Sequence, residues 1–268
     1  MVSALRNAAV LGVVSLFVFA VSACFEGAAG STFKPVTPGR LTVATAFLPA
    51  PGFWEGDPPR SGFEATLAAA LAHKLGLDHV KVVQVPFASI IRGDLGGADM
   101  ALSQLTPTKA RESHEDFTTP YLTSAPGVLA RVGVEGSDVH ALKSLNWVVS
   151  RTSTLTPILM HKIRPDGPQV VVEDRFDALR VLRDGGADAL LLDLPVALGL
   201  ARAEPKRFHV LGQLTGGEGL AAALPKGSSN GEIVDSEIRA LTADGTIGKL
   251  ARRWLGKSVG SVPLILSQ

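Results

Sequence analysis

G-G-A-D-M-A-L-S, residues 96–103, recurs in the second half of the chain as G-G-A-D-A-L-L-L-D, residues 185–193. Each copy closes a run of alternating strand and helix signals, and each places an almost wholly apolar strand after a Gly-Gly pair. Strands that alternate with helices and carry few polar residues are typical of parallel sheets covered on both faces. The sequence therefore predicts an α/β protein with two similar lobes in tandem.

Apolar patterns and turn residues set the bounds of the predicted elements. Strands are predicted at 41–46, 81–85 and 98–103 in the first half, and at 147–150, 169–173 and 187–193 in the second. Helices are predicted at 62–77, 88–95, 156–163 and 175–185, with a pair of helices around a D-G-T turn at 233–256. Two β-rich segments are predicted to cross between the lobes, at 127–134 and 219–227.

The composition indicates a globular protein and argues against several classes of partner. The chain has 268 residues, of which 46% are hydrophobic and 19% charged, with a net charge of +1. Chains of this composition bury a core and are not disordered. No basic tract is present to neutralise phosphates, so nucleic acid is not an expected partner. The histidines and the single cysteine show no metal-ligand spacing, so neither a metal nor a cofactor is expected.

The first 24 residues have the layout of an export signal. Arg6 precedes an apolar run at 8–21, which is shorter than the ~20 residues of a comfortable bilayer span. The run ends in V-S-A-C, which resembles a bacterial lipobox, and Cys24 is the only cysteine in the chain. We expect Cys24 to become the lipidated first residue of the mature protein, the alternative being an ordinary cleavage site with an incidental cysteine.

The remaining boundaries follow from the composition shifts along the chain. Residues 25–40 are rich in Gly, Ser, Thr and Pro and are interpreted as a flexible tether. The predicted segments are the signal peptide and lipobox at 1–24, the tether at 25–40, the first lobe at 41–127 and 227–268, and the second lobe with its hinge strands at 128–226.

Hydroxyl groups and a cation follow the strand of the first repeat. The stretch L-T-P-T-K-A-R, residues 105–111, contains Thr106, Thr108 and Arg111. A loop needs only Gly, Pro, Asn or Asp to turn. Hydroxyl and guanidinium donors in such a short segment favour a surface that holds a small anion.

The order of these motifs resembles that of the extracellular solute-binding proteins of family 3. These are the amino-acid receptors of bacterial ABC importers and have the type II periplasmic-binding-protein fold, two lobes with two hinge crossings. The resemblance covers nearly all of residues 41–256. The pieces that carry it are L-T-V-A-T, G-F-E-A-T-L-A-A-A-L-A, A-D-M-A-L-S-Q-L-T-P-T-K-A-R, D-F-T-T-P-Y, D-A-L-R-V-L-R-D-G-G-A-D-A-L-L-L-D and L-T-A-D-G-T-I-G-K-L-A-R-R-W-L-G.

The resemblance implies a site for a zwitterion. A receptor for a free amino acid must compensate both of the charges that it takes out of water. By position in the motifs, Arg111 and Thr106, with backbone groups of Ser103 and Gln104, are implied to bind the carboxylate. Asp193, at the end of the second repeat, is implied to bind the ammonium.

Each charged site residue has a structural alternative. Arg111 could be a surface residue that pairs with Glu112 or Glu115, and Asp193 could cap the turn before Pro195. The fit of both to separate motifs of one family favours the binding roles.

Aromatic side chains lie in the loop after the first strand, where the resemblance implies walls against the ligand. Phe53 and Trp54, with Phe47, are the candidates. A place in the core is the alternative for each of them.

The chain departs from the family pattern at several pocket positions. Gln104 stands where many members have Gly, Thr152-Ser153 where they have Gly-Thr, and Ala46 where some have an acidic residue. Thr152 and Ser153 are nevertheless predicted to contact the ligand from the second lobe. These departures leave the side-chain preference of the ligand open.

The resemblance implies a monomeric, exported lipoprotein that delivers an amino acid to a membrane permease and has no catalytic activity. The enzymatic alternative is an exported cyclohexadienyl dehydratase, since some relatives of the fold are such enzymes. A dehydratase needs a general acid near its ligand, for which Glu173 is the candidate and a solvent-exposed strand end the alternative. A sensory domain is a third possibility.

Overall fold

The computed structural model describes residues 32–256 and 261–266. The predicted signal peptide and lipobox, with Cys24, lie outside the described residues. Within the part of the chain that is described, no helix is both long and apolar enough to cross a membrane.

Strands and helices alternate through most of the chain. The first part contains β1 (Arg40–Thr45), α1 (Phe63–Lys74), β2 (His79–Gln84), α2 (Phe87–Ile90), β3 (Met100–Leu105), α3 (Lys109–Glu112), β4 (Glu115–Phe117) and β5 (Leu122–Ser124). The middle part contains β6 (Pro126–Arg131), α4 (Val139–Lys143), β7 (Trp147–Ser150), α5 (Leu155–Ile158) with the π-helical turn Leu159–Ile163, β8 (Val170–Val172), α6 (Arg175–Arg183), β9 (Ala189–Asp193), α7 (Leu194–Ala203) and β10 (Phe208–Gln213). The last part contains β11 (Glu218–Pro225), α8 (Gly231–Ala243) and α9 (Thr246–Trp254).

The strands form two sheets, one in each lobe. The first sheet has the order β2-β1-β3-β11-β4, with β5 also paired to β11, and the second has the order β10-β6-β9-β7-β8. Strands β1, β2 and β3 are parallel, as are β7, β8 and β9, whereas β11 and β6 run antiparallel to their neighbours. The predicted two-lobed α/β fold is confirmed.

The central parallel strands are buried because helices cover both of their faces. All residues of β3 and of β7 are buried, as their apolar sequences predict. Helix α1 buries Phe63, Leu67 and Leu71, which are spaced four residues apart and therefore share one face. This packing holds the carboxyl ends of the parallel strands at fixed positions.

Strand β11 belongs to the first sheet, which corrects the prediction that residues up to 226 belong to the second lobe. It pairs with β3, β4 and β5 over its length. The apolar run of β11 is buried and completes the core of the first lobe. The described strands of the second lobe therefore end with β10.

The predicted tether is wrong for its described part. The backbone N–H of Val36 donates to Asp99 Oδ1 at 2.7 Å, and that of Lys34 donates to Asn230 Oδ1 at 2.9 Å. Phe33 packs against the main core cluster. Side-chain acceptors of the first lobe thus fix residues 33–36, an effect that composition alone does not reveal.

The last described residues contact the second lobe, which corrects their assignment to the first. The backbone N–H of Gln213 donates to Pro263 O at 2.9 Å, and that of Ile265 donates to Gln213 O at 2.8 Å. Ile265 is buried in the core of the second lobe with Trp147 and Leu214. Strand β10 was not predicted, so its pairing with this segment could not be anticipated.

Candidate ligand-binding site

A small cavity lies where the two lobes meet, and we call it the cleft. Its volume is about 60 Å³. Side chains at the carboxyl ends of parallel strands of both sheets surround it, which is where open α/β sheets present ligand-binding groups. Its lining residues are Leu48, Phe87, Gln104, Thr106, Arg111, Ser150, Thr152, Ser153, Thr154, Leu155, Arg175, Leu190, Leu191, Leu192 and Asp193.

Arg111 extends from the first lobe to the second. Its Nη1 donates to Thr106 O at 2.9 Å and its Nη2 donates to Thr152 O at 3.0 Å. The guanidinium also lies over the ring of Phe87, 5.6 Å from the centroid. Only 8% of Arg111 is exposed, so the alternative of a surface residue is wrong.

Local structure fixes the direction of the Arg111 side chain. Thr108 is the N-cap residue of α3, and its hydroxyl accepts from the Arg111 backbone N–H at 3.2 Å. An N-cap of this kind typically stabilises a helix start by about 1 kcal/mol. The second threonine of the L-T-P-T segment therefore orients the arginine and does not itself line the cleft.

Glu115 is a buried acid beside Arg111. Neither of its carboxyl oxygens has a hydrogen-bond partner within residues 32–256 and 261–266. Burial raises the pKa of Glu115 to about 7, against the opposing influence of the Arg111 charge. The charge near the guanidinium of Arg111 therefore depends on pH.

Asp193 ends β9 and points a carboxylate at the cleft. It is the N-cap residue of α7, but its side chain makes no capping hydrogen bond, so the alternative role as a turn cap is wrong. Pro195 lies in the first turn of α7, where the lack of an N–H is tolerated. The side chain of Asp193 thus belongs to the lining of the cleft.

Arg175 faces Asp193 from the first position of α6. The helix starts there because Asp174 caps it, accepting from the Asp177 N–H at 3.1 Å. Burial lowers the pKa of Arg175 to about 10, and the charges of Asp193, Glu64 and Asp174 oppose this shift. Arg175 therefore remains a cation at neutral pH.

Gln104 connects Arg175 to a buried acid of the first lobe. Arg175 Nη2 donates to Gln104 Oε1 at 2.9 Å, and Gln104 Nε2 donates to Glu64 Oε2 at 2.5 Å. Glu64 Oε1 accepts from the Gln104 backbone N–H at 2.9 Å and from the Tyr121 hydroxyl. Burial raises the pKa of Glu64, although these hydrogen bonds oppose the shift.

Six of the predicted ligand-binding residues line the cleft: Arg111, Thr106, Asp193, Gln104, Thr152 and Ser153. The other three, Ser103, Phe53 and Trp54, do not line it. The Ser103 hydroxyl accepts from the Ala46 N–H at 3.1 Å, so it joins the ends of two strands. The Gln104 backbone N–H, implied for the carboxylate, is bonded to Glu64.

The predicted aromatic walls are wrong at Phe53 and Trp54. Phe53 is fully buried and packs edge-on against Phe63, with 5.8 Å between ring centroids. Trp54 donates from Nε1 to Leu102 O at 3.0 Å and packs against the same core. The loop after β1 turns these rings inward, so the aromatic residue of the cleft is Phe87.

Phe87 and Arg175 line the cleft, although neither was predicted from the sequence. Phe87 follows the end of β2 and Arg175 follows the end of β8. The rule that ligand groups follow the carboxyl ends of parallel strands would have identified both positions. Over the described residues, no group of three or more His, Cys, Asp or Glu side chains is placed to hold a metal ion.

A sequence profile described as bacterial extracellular solute-binding proteins, family 3, matches residues 41–257. The chain belongs to this family. The L-cystine-binding protein TcyJ of Escherichia coli (strain K12), for example, is 27% identical over 227 residues, which cover 82% of this chain and 84% of that protein.

Solved structures extend the family assignment to the fold. An ancestral arginine-binding protein bound to glutamine has a TM-score of 0.68 and 27% identity, over 82% of this chain and 100% of that chain. The substrate-binding protein of an amino acid ABC transporter has a TM-score of 0.65 and 25% identity, over 80% and 98% of the two chains. These matches confirm the type II periplasmic-binding-protein fold and make this a solute-binding protein.

Two membrane-bound lytic murein transglycosylases match part of the chain. Membrane-bound lytic murein transglycosylase F 1 of Alkalilimnicola ehrlichii is 35% identical over 101 residues, 37% of this chain and 20% of that protein. The family 3 relatives that match over most of their length are binding proteins, which fits the prediction of a protein without catalysis. Glu173, the candidate general acid, has a side chain that is 77% exposed and forms an ion pair with Arg151 at 3.1 Å.

Proposed function

We propose that this protein is an exported solute-binding lipoprotein that captures an amino acid between its lobes and delivers it to an ABC-type permease. One observation carries the proposal. Arg111 of the first lobe and Asp193 of the second line the same cavity, so complementary charges for a carboxylate and an ammonium come from opposite lobes.

The charges of a zwitterion require partners of this kind. Removing a carboxylate or an ammonium from water costs several kcal/mol unless it is paired and hydrogen-bonded. In the proposed complex, the Arg111 guanidinium and the Thr106 hydroxyl bind the ligand carboxylate, and Asp193 binds the ammonium. The hydroxyls of Thr152 and Ser153 supply further polar contacts from the second lobe.

Capture requires the lobes to separate and close again. Cavities that hold small ligands usually measure roughly 300–1,000 Å³, whereas the cleft measures about 60 Å³. Hydrogen bonds cross it from Arg111 to Thr152 O and from Arg175 to Gln104 Oε1. A ligand that bonds to both lobes favours the closed arrangement, because it interacts fully only there.

The relatives support both the ligand class and the transporter. Cystine and arginine, named for similar proteins, both carry an α-carboxylate and an α-ammonium, and one similar structure serves an amino acid ABC transporter. The lipid anchor rests on the V-S-A-C sequence before a lone cysteine, Cys24. We call Arg111, Thr106 and Asp193, which bind the two charges of the amino acid, the zwitterion clamp. We infer a monomer, since all residues of this clamp come from one chain.

A thermal-shift screen of the 20 amino acids tests the proposal. A ligand at 100 times its dissociation constant adds about 2.7 kcal/mol to the stability of the folded protein. We expect at least one amino acid to raise the unfolding temperature. Incubation with prephenate or arogenate serves as the enzymatic control, and turnover of either compound would contradict a pure binding function.

A further inference from the structure

The zwitterion clamp leaves one strong donor of the cleft unused. Arg175 lines the cavity beside Asp193. Its Nη2 donates to Gln104 Oε1 at 2.9 Å, but its Nε is buried without a hydrogen-bond partner among the described residues. A buried donor without an acceptor lowers the stability of the protein. Because Arg175 lines a ligand cavity, we expect the ligand to supply the acceptor for Nε.

The charges around the cavity are not balanced for a simple zwitterion. Among the described residues of the lining, Arg111, Arg175 and Asp193 are ionisable, which gives two cations and one anion. Glu64 lies behind Gln104, which separates it from Arg175, and is not among the lining residues. A zwitterion contributes one charge of each sign, so the described lining would still carry one more cation than anions.

A second carboxylate on the ligand completes the pairing. The Nε and Nη2 of a guanidinium share one edge, which matches the two oxygens of a carboxylate. Among the described residues, nothing accepts from Arg175 Nε on this edge. A ligand with an additional ammonium would instead place a third cation near Arg111 and Arg175, and like charges at close range are unfavourable.

We propose that Arg175 binds the side chain of the ligand and that the cleft selects an amino acid with a second carboxylate over one with a cationic side chain. This inference rests on the proposed function, because it uses Arg111 and Asp193 for the α-carboxylate and the α-ammonium. Arg175 is then the residue that determines specificity within the clamp.

Isothermal titration of the wild-type protein with six probes tests this selectivity without any mutation. The probes are L-glutamate, L-aspartate, their amides L-glutamine and L-asparagine, and the cationic L-lysine and L-arginine. We expect a dicarboxylate to bind at least about tenfold more tightly than its amide, since a charge-assisted pair is stronger than a neutral hydrogen bond. Tighter binding of the amides or of the cationic amino acids would overturn the inference.

The Arg175→Gln variant assigns the selectivity to one side chain. We expect it to weaken dicarboxylate binding by about ten- to a hundredfold while changing amide binding less than about threefold. A purely structural role for Arg175 would weaken binding of all probes alike, and that result would overturn the inference. Arg180→Gln, at an exposed position of the same helix, is the matched control and should bind like the wild type.

The two proposals fail in different ways. If an amide or a cationic amino acid binds best and Arg111→Ala abolishes that binding, the specificity inference is wrong and the binding function stands. If none of the 20 amino acids binds, both are wrong.

Discussion

Arg175 donates to the side chain of Gln104 across the cleft, Nη2 to Oε1 at 2.9 Å, and so joins the second lobe to the first. Arg111 makes the reciprocal connection, from the first lobe to Thr152 O of the second at 3.0 Å. Hydrogen bonds that involve a charged group contribute roughly 1.5–3 kcal/mol each. The residues proposed to bind the ligand therefore also hold the lobes together.

Replacement of Gln104 by Ala should loosen this connection. The variant loses the acceptor of Arg175 Nη2, so we expect a more open average arrangement of the lobes. Small-angle X-ray scattering of the protein without added amino acid should give a larger radius of gyration than that of the wild type. An unchanged radius of gyration would argue that Gln104 does not hold the lobes closed.

Glu115→Gln should change the pH dependence of stability. The pKa of the Glu115 carboxyl is about 7 in the folded wild-type protein, compared with an ordinary value of 4.5. Between these values, the folded protein keeps a proton that the unfolded chain releases, so the free energy of unfolding falls as pH rises from about 4.5 to about 7. The stabilisation is therefore complete below about pH 4.5 and is lost by about pH 7.

Denaturant unfolding at pH 4.5, 6 and 8 measures this effect. The Glu115→Gln variant should be more stable than the wild type at pH 8 and similar to it at pH 4.5. Glu112→Gln, at an exposed neighbouring position, should follow the wild-type curve. If wild type and Glu115→Gln lose stability equally over this range, Glu115 does not titrate there.

Tyr121→Phe should destabilise the protein through Glu64. The Tyr121 hydroxyl donates to buried Glu64 Oε1, whereas the ring packs near Phe63 with 5.9 Å between centroids. The variant keeps the ring and loses the donor, which we expect to cost about 1–3 kcal/mol in denaturant unfolding. In a double-mutant cycle with Glu64→Gln, the two effects should not be additive, and strict additivity would contradict the coupling.

Cys24→Ala tests the lipid anchor. If Cys24 carries the lipid, the variant should move from the membrane fraction to a soluble or unprocessed form. Stable anchoring requires more than one acyl chain, so partial loss of acylation should also weaken retention. Membrane fractionation that shows the same distribution for variant and wild type would exclude the lipobox.

The repeated motif predicted the main strands because burial on both faces leaves an apolar sequence. Strand β7 was predicted with its observed bounds, Trp147–Ser150. Helix α7 was missed because its apolar residues follow β9 without a loop, and a continuous apolar run does not distinguish strand from helix. Its Gly199 allows a close approach, since a Cβ there would lie 2.3 Å from Pro51 O.

Site residues that lie in family motifs could be predicted from the sequence. Site residues that only tertiary packing brings to the cleft could not. Arg111 and Asp193 lie in motifs whose order reveals the family, so their positions could be predicted. Arg175 is a charged residue at a helix start, a pattern that usually indicates exposure to solvent. Likewise, Phe53 and Phe87 both follow strands, and only the path of each loop decides which ring lines the cleft.

We propose that Arg111 and Asp193 bind the two charges of an amino acid. In Arg111→Ala, the ligand carboxylate is desolvated without its main partner, and in Asp193→Ala the ammonium is. Each variant should lose about 3–5 kcal/mol of binding free energy. The exposed residues Arg92 and Asp78 provide the controls, since Arg92→Ala and Asp78→Ala remove the same charges outside the cleft.

Isothermal titration of the wild type and these four variants with the amino acid found by the screen tests the claim most directly. Both cleft variants should bind about a hundredfold to several thousandfold more weakly, as about 1.4 kcal/mol corresponds to a factor of ten, while both controls should bind like the wild type. Near-wild-type affinity in Arg111→Ala and Asp193→Ala would contradict the clamp.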